Sequence, residues 1–126
     1  VVNGEHGTAR SLKIPGVQMA GKTGTSQVMA FSASDIYTRC ETRPFNQRHN
    51  GWFIAWAPAE NPEITVAALA EHGCHGGSAA GPLVRDTIRA YFEKYHPEII
   101  AEALKNPKQA KKPVKAEEPP RVQEGE

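Results

Sequence analysis

Long apolar runs, a one-sided charge balance and a cysteine framework are all missing from this sequence. No stretch approaches the roughly 18 consecutive apolar residues of a membrane-spanning helix. Lys and Arg number 15 against 14 Asp and Glu, a net charge of +1, so neither a nucleic-acid-binding arm nor a polybasic membrane patch is indicated. Cysteine occurs only at Cys40 and Cys74, too few for a disulfide-built scaffold. A single bridge in an oxidising compartment and two unpaired thiols both remain open, the unpaired thiols being the simpler reading. Val1 does not open a signal peptide, so targeting information for an exported protein is expected upstream.

What is present divides near Pro97. From Asn106 to Glu126 the chain is almost entirely Lys, Glu, Pro, Gln and Ala, a composition that buries too little apolar surface to offset its ordering entropy. The reading is a folded part over residues 1–96 and a charged, disordered tail over 97–126. A second short helix at Glu98–Leu104 is the alternative reading of the first part of that tail.

Within 1–96, Val1–Thr8 reads as the last turn of a helix and a glycine-rich connection, which suggests that the chain is a fragment. Thr8–Leu12 is a candidate short strand, and Ile14-Pro15-Gly16-Val17 a turn. Strands are predicted at Val17–Val28, Trp52–Ala57 and Ile64–Glu71, the last two joined by the turn Pro58–Pro62. The two later strands are apolar on both faces, as in sheets covered on each side. Met29–Asn50 has no sustained period, and its length marks it as functional or mobile. Ser78 is a candidate N-cap for a helix running to Tyr95, with Val84, Ile88, Tyr91, Phe92 and Tyr95 as its apolar stripe. The sum is an α/β (α+β) unit of three antiparallel strands and a C-terminal helix. One helix covers one face, so a second cover is expected outside this chain.

The chemistry sits in Lys22-Thr23-Gly24-Thr25, led in by Gln18-Met19-Ala20-Gly21. A cation, two hydroxyls and a permissive glycine on one strand suit an edge that holds an anionic, carbonyl-bearing substrate. K-T-G is one of three elements, with S-x-x-K and S-D-N, of penicillin-binding proteins and class A β-lactamases. The other two are absent. None of Ser11, Ser26, Ser32, Ser34 and Ser78 has lysine three residues on or asparagine two residues on.

Several further blocks occur in order: Val1-Val2-Asn3-Gly4, the Ile14–Val28 run, Gly51–Gly73 (G-W-F-I-A-W-A-P-A-E-N-P-E-I-T-V-A-A-L-A-E-H-G), and His75–Pro82 (H-G-G-S-A-A-G-P). Together they resemble the C-terminal third of the transpeptidase domain of class B penicillin-binding proteins, most of all the elongation-type penicillin-binding protein 2. The resemblance implies the penicillin-binding transpeptidase and serine β-lactamase-like fold, a five-stranded sheet between helices, with two strands and an all-helical subdomain encoded upstream. It implies acyl transfer: a serine attacks the D-Ala-D-Ala end of a peptidoglycan stem peptide, and β-lactams trap that serine. By resemblance Lys22 and the Thr25 backbone N–H are catalytic, the latter as half of an oxyanion hole. Thr23, Gly24 and Thr25 bind substrate, the two hydroxyls holding its terminal carboxylate. The implied setting is the periplasmic face of the bacterial inner membrane, reached through a missing N-terminal anchor and shared with the cell-elongation machinery. No cofactor, metal or nucleic acid is implied. With its nucleophile upstream, the chain alone is expected to be inactive.

Rival readings are a non-catalytic remnant or binding module of the same fold, and a serine β-lactamase relative. His72, Cys74, His75 and His49 offer zinc-ligand chemistry, but H-x-C-H is not a zinc-site spacing, so no metal is assigned. Trp52, Ile54 and Trp56 share a strand face and read as core. Arg39, Arg43 and Arg48 read as solvated, and His6 as a loop residue.

Overall fold

The computed structural model describes residues 1–107. Three strands, β1 (Ala20–Ser26), β2 (Asn50–Ala57) and β3 (Ile64–Ala70), form an antiparallel sheet in the order β1-β2-β3. In register, Lys22 pairs with Ile54, Thr23 with Phe53, Gly24 with Trp52 and Thr25 with Gly51. Residues paired across strands share a face. The inner face therefore carries Thr23, Thr25, Phe53, Ala55, Val66 and Ala68, and the outer face Lys22, Gly24, Trp52, Ile54, Ala67 and Leu69.

Helix α1 (Gly81–Tyr95) lies on the inner face, with Pro82 in its first positions as the sequence predicts. Val84, Ile88 and Phe92, spaced four apart, are buried against Phe53, Ala55 and Ala57. The predicted stripe is narrower than its spacing suggests. Tyr91 is half-buried and Tyr95 is exposed, stacked on Tyr91 with ring centroids 4.8 Å apart.

The outer face is different. Trp52, Ile54 and Leu69 remain 43%, 43% and 40% exposed. The reading of Trp52 and Ile54 as core does not hold among the described residues, because α1 covers only the inner face. The Trp52 indole N–H instead donates to Ser26 Oγ at 3.1 Å.

Local predictions fail where tertiary contacts outweigh pattern. Val1–Thr8 holds bends and turns and no helical turn. Val2 is buried, and the Val1 carbonyl accepts the Ala9 N–H. Thr8–Leu12 is not a strand; Arg10–Leu12 is a 3-10 turn that points both Ala9 and Leu12 into the core. Ser78 does not cap a helix. Gly76–Ala80 winds as a π-type turn leading into α1, and Ser78 is exposed.

The boundary at Pro97 also moves. Helix α2 (Pro97–Lys105) follows α1 directly and buries Ile100 and Ala103. It packs on the Ile14–Val17 turn at Gly16, where φ is +78° and an added Cβ would lie 2.8 Å from the Ile99 carbonyl. That close approach explains why sequence composition alone misplaces the boundary: α2 is short, but the turn gives it a seat. The remainder of the expected tail, 108–126, lies outside the described residues.

Cys40 and Cys74 are bonded to each other across a sequence separation of 34 residues. The unpaired-thiol reading is corrected accordingly. Spacing cannot reveal such a pairing, because the long connection between β1 and β2 must first fold back to bring Cys40 to the end of β3.

Phe92 is 1% exposed at the centre of the α1 contact. Phe92→Ala is expected to lower the unfolding free energy by about 3–5 kcal/mol, read from urea unfolding. A loss below about 1 kcal/mol would show that α1 does not seat on the sheet as described.

Candidate active site wall

The site begins with strand alternation. Thr23 and Thr25 project to the inner face of edge strand β1, and Lys22 and Gly24 to the outer. The two threonines form one wall of an open cleft of about 330 Å³. The His75–Ser78 segment lines it opposite them, together with Thr8. Lys22 does not line this cleft. It is exposed beside Ile54, and its ammonium donates to the Thr23 carbonyl at 2.8 Å. An added Cβ at Gly24 would meet Trp52 Cβ at 3.4 Å, so the glycine lies over that tryptophan on the Lys22 side.

Glycine builds the opposite wall. A Cβ on Gly76 would fall 1.8 Å from the Trp52 carbonyl oxygen, and one on Gly51 would fall 2.8 Å from the His75 carbonyl carbon. Only glycine lets these two backbones touch. The sequence reading treats Gly73–Gly77 as a break between elements and assigns Thr8, His75, Gly76 and Gly77 no part in the site. The clustered glycines are the signal that marks the close approach.

The connection from 29 to 50 is built rather than loose. Arg43 is buried, its guanidinium 3.7 Å from the Phe31 ring centroid and donating to the carbonyls of Asp35 and Thr38. Arg48 donates to the carbonyls of Arg43 at 3.1 Å and Glu41 at 3.0 Å. The reading of these two arginines as solvated is thus corrected, because the loop turns its carbonyls inward and needs donors to satisfy them. The folded connection is fixed to the segment after β3 at several points. These are the Cys40–Cys74 bond, the Cys74 N–H to the His49 carbonyl at 2.9 Å, and the His72 N–H to Asn50 Oδ1 at 2.9 Å.

Glu41, next to Cys40, accepts a hydrogen bond from His75 Nε2, next to Cys74. The Glu41 backbone and then the His75 ring hold its carboxyl below the ordinary glutamate range, against a small opposing effect of burial. Two of the other donors raised for zinc are engaged elsewhere. The Cys74 sulfur is bonded to Cys40, and His72 Nδ1 faces the Arg48 carbonyl at 3.1 Å. His49 packs edge-on against Phe31, its Nδ1 buried without a partner among the described residues.

The structure brings Thr23 and Thr25 together in the cleft and leaves Lys22 and Gly24 on the opposite face of the same strand. K-T-G on an edge strand is one of the sequence elements of penicillin-binding proteins and class A β-lactamases. The chain belongs to the penicillin-binding protein transpeptidase domain family, whose model matches residues 1–89.

The chain is 42% identical over 76 residues to the peptidoglycan D,D-transpeptidase MrdA of Acinetobacter baumannii, covering 60% of this chain and 11% of that protein. It is 32% identical over 100 residues to MrdA of Haemophilus influenzae, covering 79% and 15%. The crystal structure of PBPA from Mycobacterium tuberculosis aligns at 34% identity with a TM-score of 0.45, over 65% of this chain and 17% of that one. The chain therefore spans less than a fifth of the length of these relatives.

The Glu41 contact has a pH signature. A carboxyl held low in the folded state contributes stability above its unfolded value, and that contribution disappears as pH falls through the folded value. Carbon-13 NMR titration is expected to place the Glu41 midpoint below 4.5, the ordinary value, and His75→Ala to raise it. A midpoint at or above 4.5 in the unmodified chain would mean that the Glu41–His75 pair does not form.

Proposed function

We propose that this chain is the C-terminal wall of the transpeptidase site of a peptidoglycan D,D-transpeptidase. The observation that carries the reading is the pair Thr23 and Thr25, set side by side on an edge strand over a cleft, in a chain of this family. Their hydroxyls would hold the terminal carboxylate of a D-Ala-D-Ala stem peptide or the carboxylate of a β-lactam. The Thr25 N–H would supply half of an oxyanion hole. A preorganised donor aimed at developing negative charge contributes about 3–4 kcal/mol to such a reaction. Gly24 removes side-chain bulk beside the strand along which an extended peptide would lie.

Lys22 serves the opposite side of β1. There the exposed Trp52, Ile54 and Leu69 form an apolar face that the described residues leave uncovered. A helical layer carrying S-x-x-K and S-x-N, encoded upstream, would cover that face and bring the serine nucleophile to Lys22. In this arrangement Lys22 holds positive charge near the serine and helps to pass its proton. Attack of the serine on the penultimate D-Ala carbonyl would break the D-Ala–D-Ala amide and expel the terminal D-Ala, and an amine of a neighbouring peptidoglycan strand would then displace the serine from the acyl-enzyme.

The cell-elongation machinery is the partner implied by the elongation-type resemblance, and the periplasmic face of the inner membrane is the implied location. The Cys40–Cys74 disulfide supports that location, because such bonds persist in oxidising compartments. Among the described residues no helix is long and apolar enough to cross a membrane.

The test is covalent labelling with a fluorescent penicillin. The full-length parent is expected to label and the 126-residue chain alone is not. Lys22→Ala in the parent should slow acylation at least a hundredfold, on the scale at which positioned proton-transfer groups contribute. Labelling of the isolated chain, or unchanged acylation in the Lys22 variant, would overturn these assignments.

A further inference from the structure

We propose that His75 is a carboxylate-binding residue of the threonine cleft, presented to the ligand by Glu41 of the disulfide-tethered 29–50 connection. The inference rests on the acyl-transfer reading above and adds a residue to it. Among the residues lining the cleft, His75 alone has an ionisable side chain; the others offer hydroxyls or backbone. Lys22 belongs to the opposite face of β1. An anionic group lying against Thr23 and Thr25 therefore has His75 as the ionisable side chain within the cleft.

The second observation is how this surface side chain is held. The His75 side chain is 63% exposed, yet it is fixed from a segment 34 residues away. Two bonds join the same pair of strands of chain at adjacent positions: Cys40 to Cys74 and Glu41 to His75. The covalent bond sets the spacing, and the carboxylate orients the ring. His49 completes the clamp, donating its N–H to Cys40 Sγ at 3.3 Å and accepting the Cys74 N–H at 2.9 Å.

Glu41 engages Nε2, which leaves Nδ1 for a ligand. A protonated ring can then donate from Nε2 to Glu41 and from Nδ1 to the substrate carboxylate, bridging two anions. Because the ring is already oriented, ligand binding does not have to order it, and that saving appears as affinity.

The experiment uses the full-length parent and measures acylation rates by mass spectrometry for benzylpenicillin and for its methyl ester, which lacks the carboxylate charge. His75→Ala is expected to lower the acid-to-ester rate ratio about tenfold, the scale of one hydrogen bond to a charged group. Glu41→Gln should lower the ratio by a smaller factor. His75→Asn, which keeps a neutral donor, should fall between wild type and His75→Ala and serves as the second variant if alanine impairs folding. Tyr37→Ala, at a 91% exposed position of the same connection, should leave the ratio unchanged.

Equal losses for acid and ester would show that His75 only supports structure, and no change in either would show that it does not touch the ligand. Both results overturn the inference while leaving the acyl-transfer reading intact. Failure of the wild-type parent to react with either compound would instead remove that reading, and this inference with it.

Discussion

The contact between the Gly76 backbone and the Trp52 carbonyl fixes the distance between the sheet and everything that follows it. An added Cβ at Gly76 would fall 1.8 Å from that oxygen, well inside any tolerable separation, so a side chain there would push the two segments apart. With them touching, the π-type turn at Gly76–Ala80 starts directly above β2, and α1 continues from it across the inner face. Val84, Ile88 and Phe92 then meet Phe53 and Ala55. The same approach leaves the strip of space between His75–Ser78 and the β1 threonines that becomes the cleft. Core packing and site geometry thus share one dependence on a missing methyl group.

A different physical logic holds the connection between β1 and β2. It has little apolar material to bury, and it exposes Ile36, Tyr37 and Phe45. Its order comes from polar staples. Burying the Arg43 guanidinium is costly, and the cost is offset by two backbone carbonyls and the face of Phe31. Arg48 repeats the device on the next pair of carbonyls. The disulfide attaches the stapled unit to the end of β3, where Glu41 meets His75. A segment with no helical or strand period can still be a rigid part of a site wall when its own carbonyls are satisfied from within.

Legibility in the sequence followed the kind of interaction. The apolar runs Trp52–Ala57 and Ile64–Glu71 on either side of the Pro58–Pro62 turn marked the hairpin, and the four-residue spacing of Val84, Ile88 and Phe92 marked α1, because these signals are local to the chain. Lys-Thr-Gly-Thr and the ordered blocks around it marked the family. Contacts between distant segments left no local trace. The seat of α2 on the Gly16 turn, the burial of Arg43, the pairing of Cys40 with Cys74 and the recruitment of His75 to the cleft all join residues far apart in the chain.

The sequence by itself determined the three-strand and helix core, the acyl-transfer family and the placement of Lys22, Thr23, Gly24 and Thr25 on one strand. Only the tertiary structure decided which face of that strand each of them serves. Alternation puts neighbours on opposite sides, but the side that becomes the cleft is chosen by where α1 and the His75–Ser78 segment pack. Those positions depend on glycine contacts and a cross-link between segments that no local period encodes.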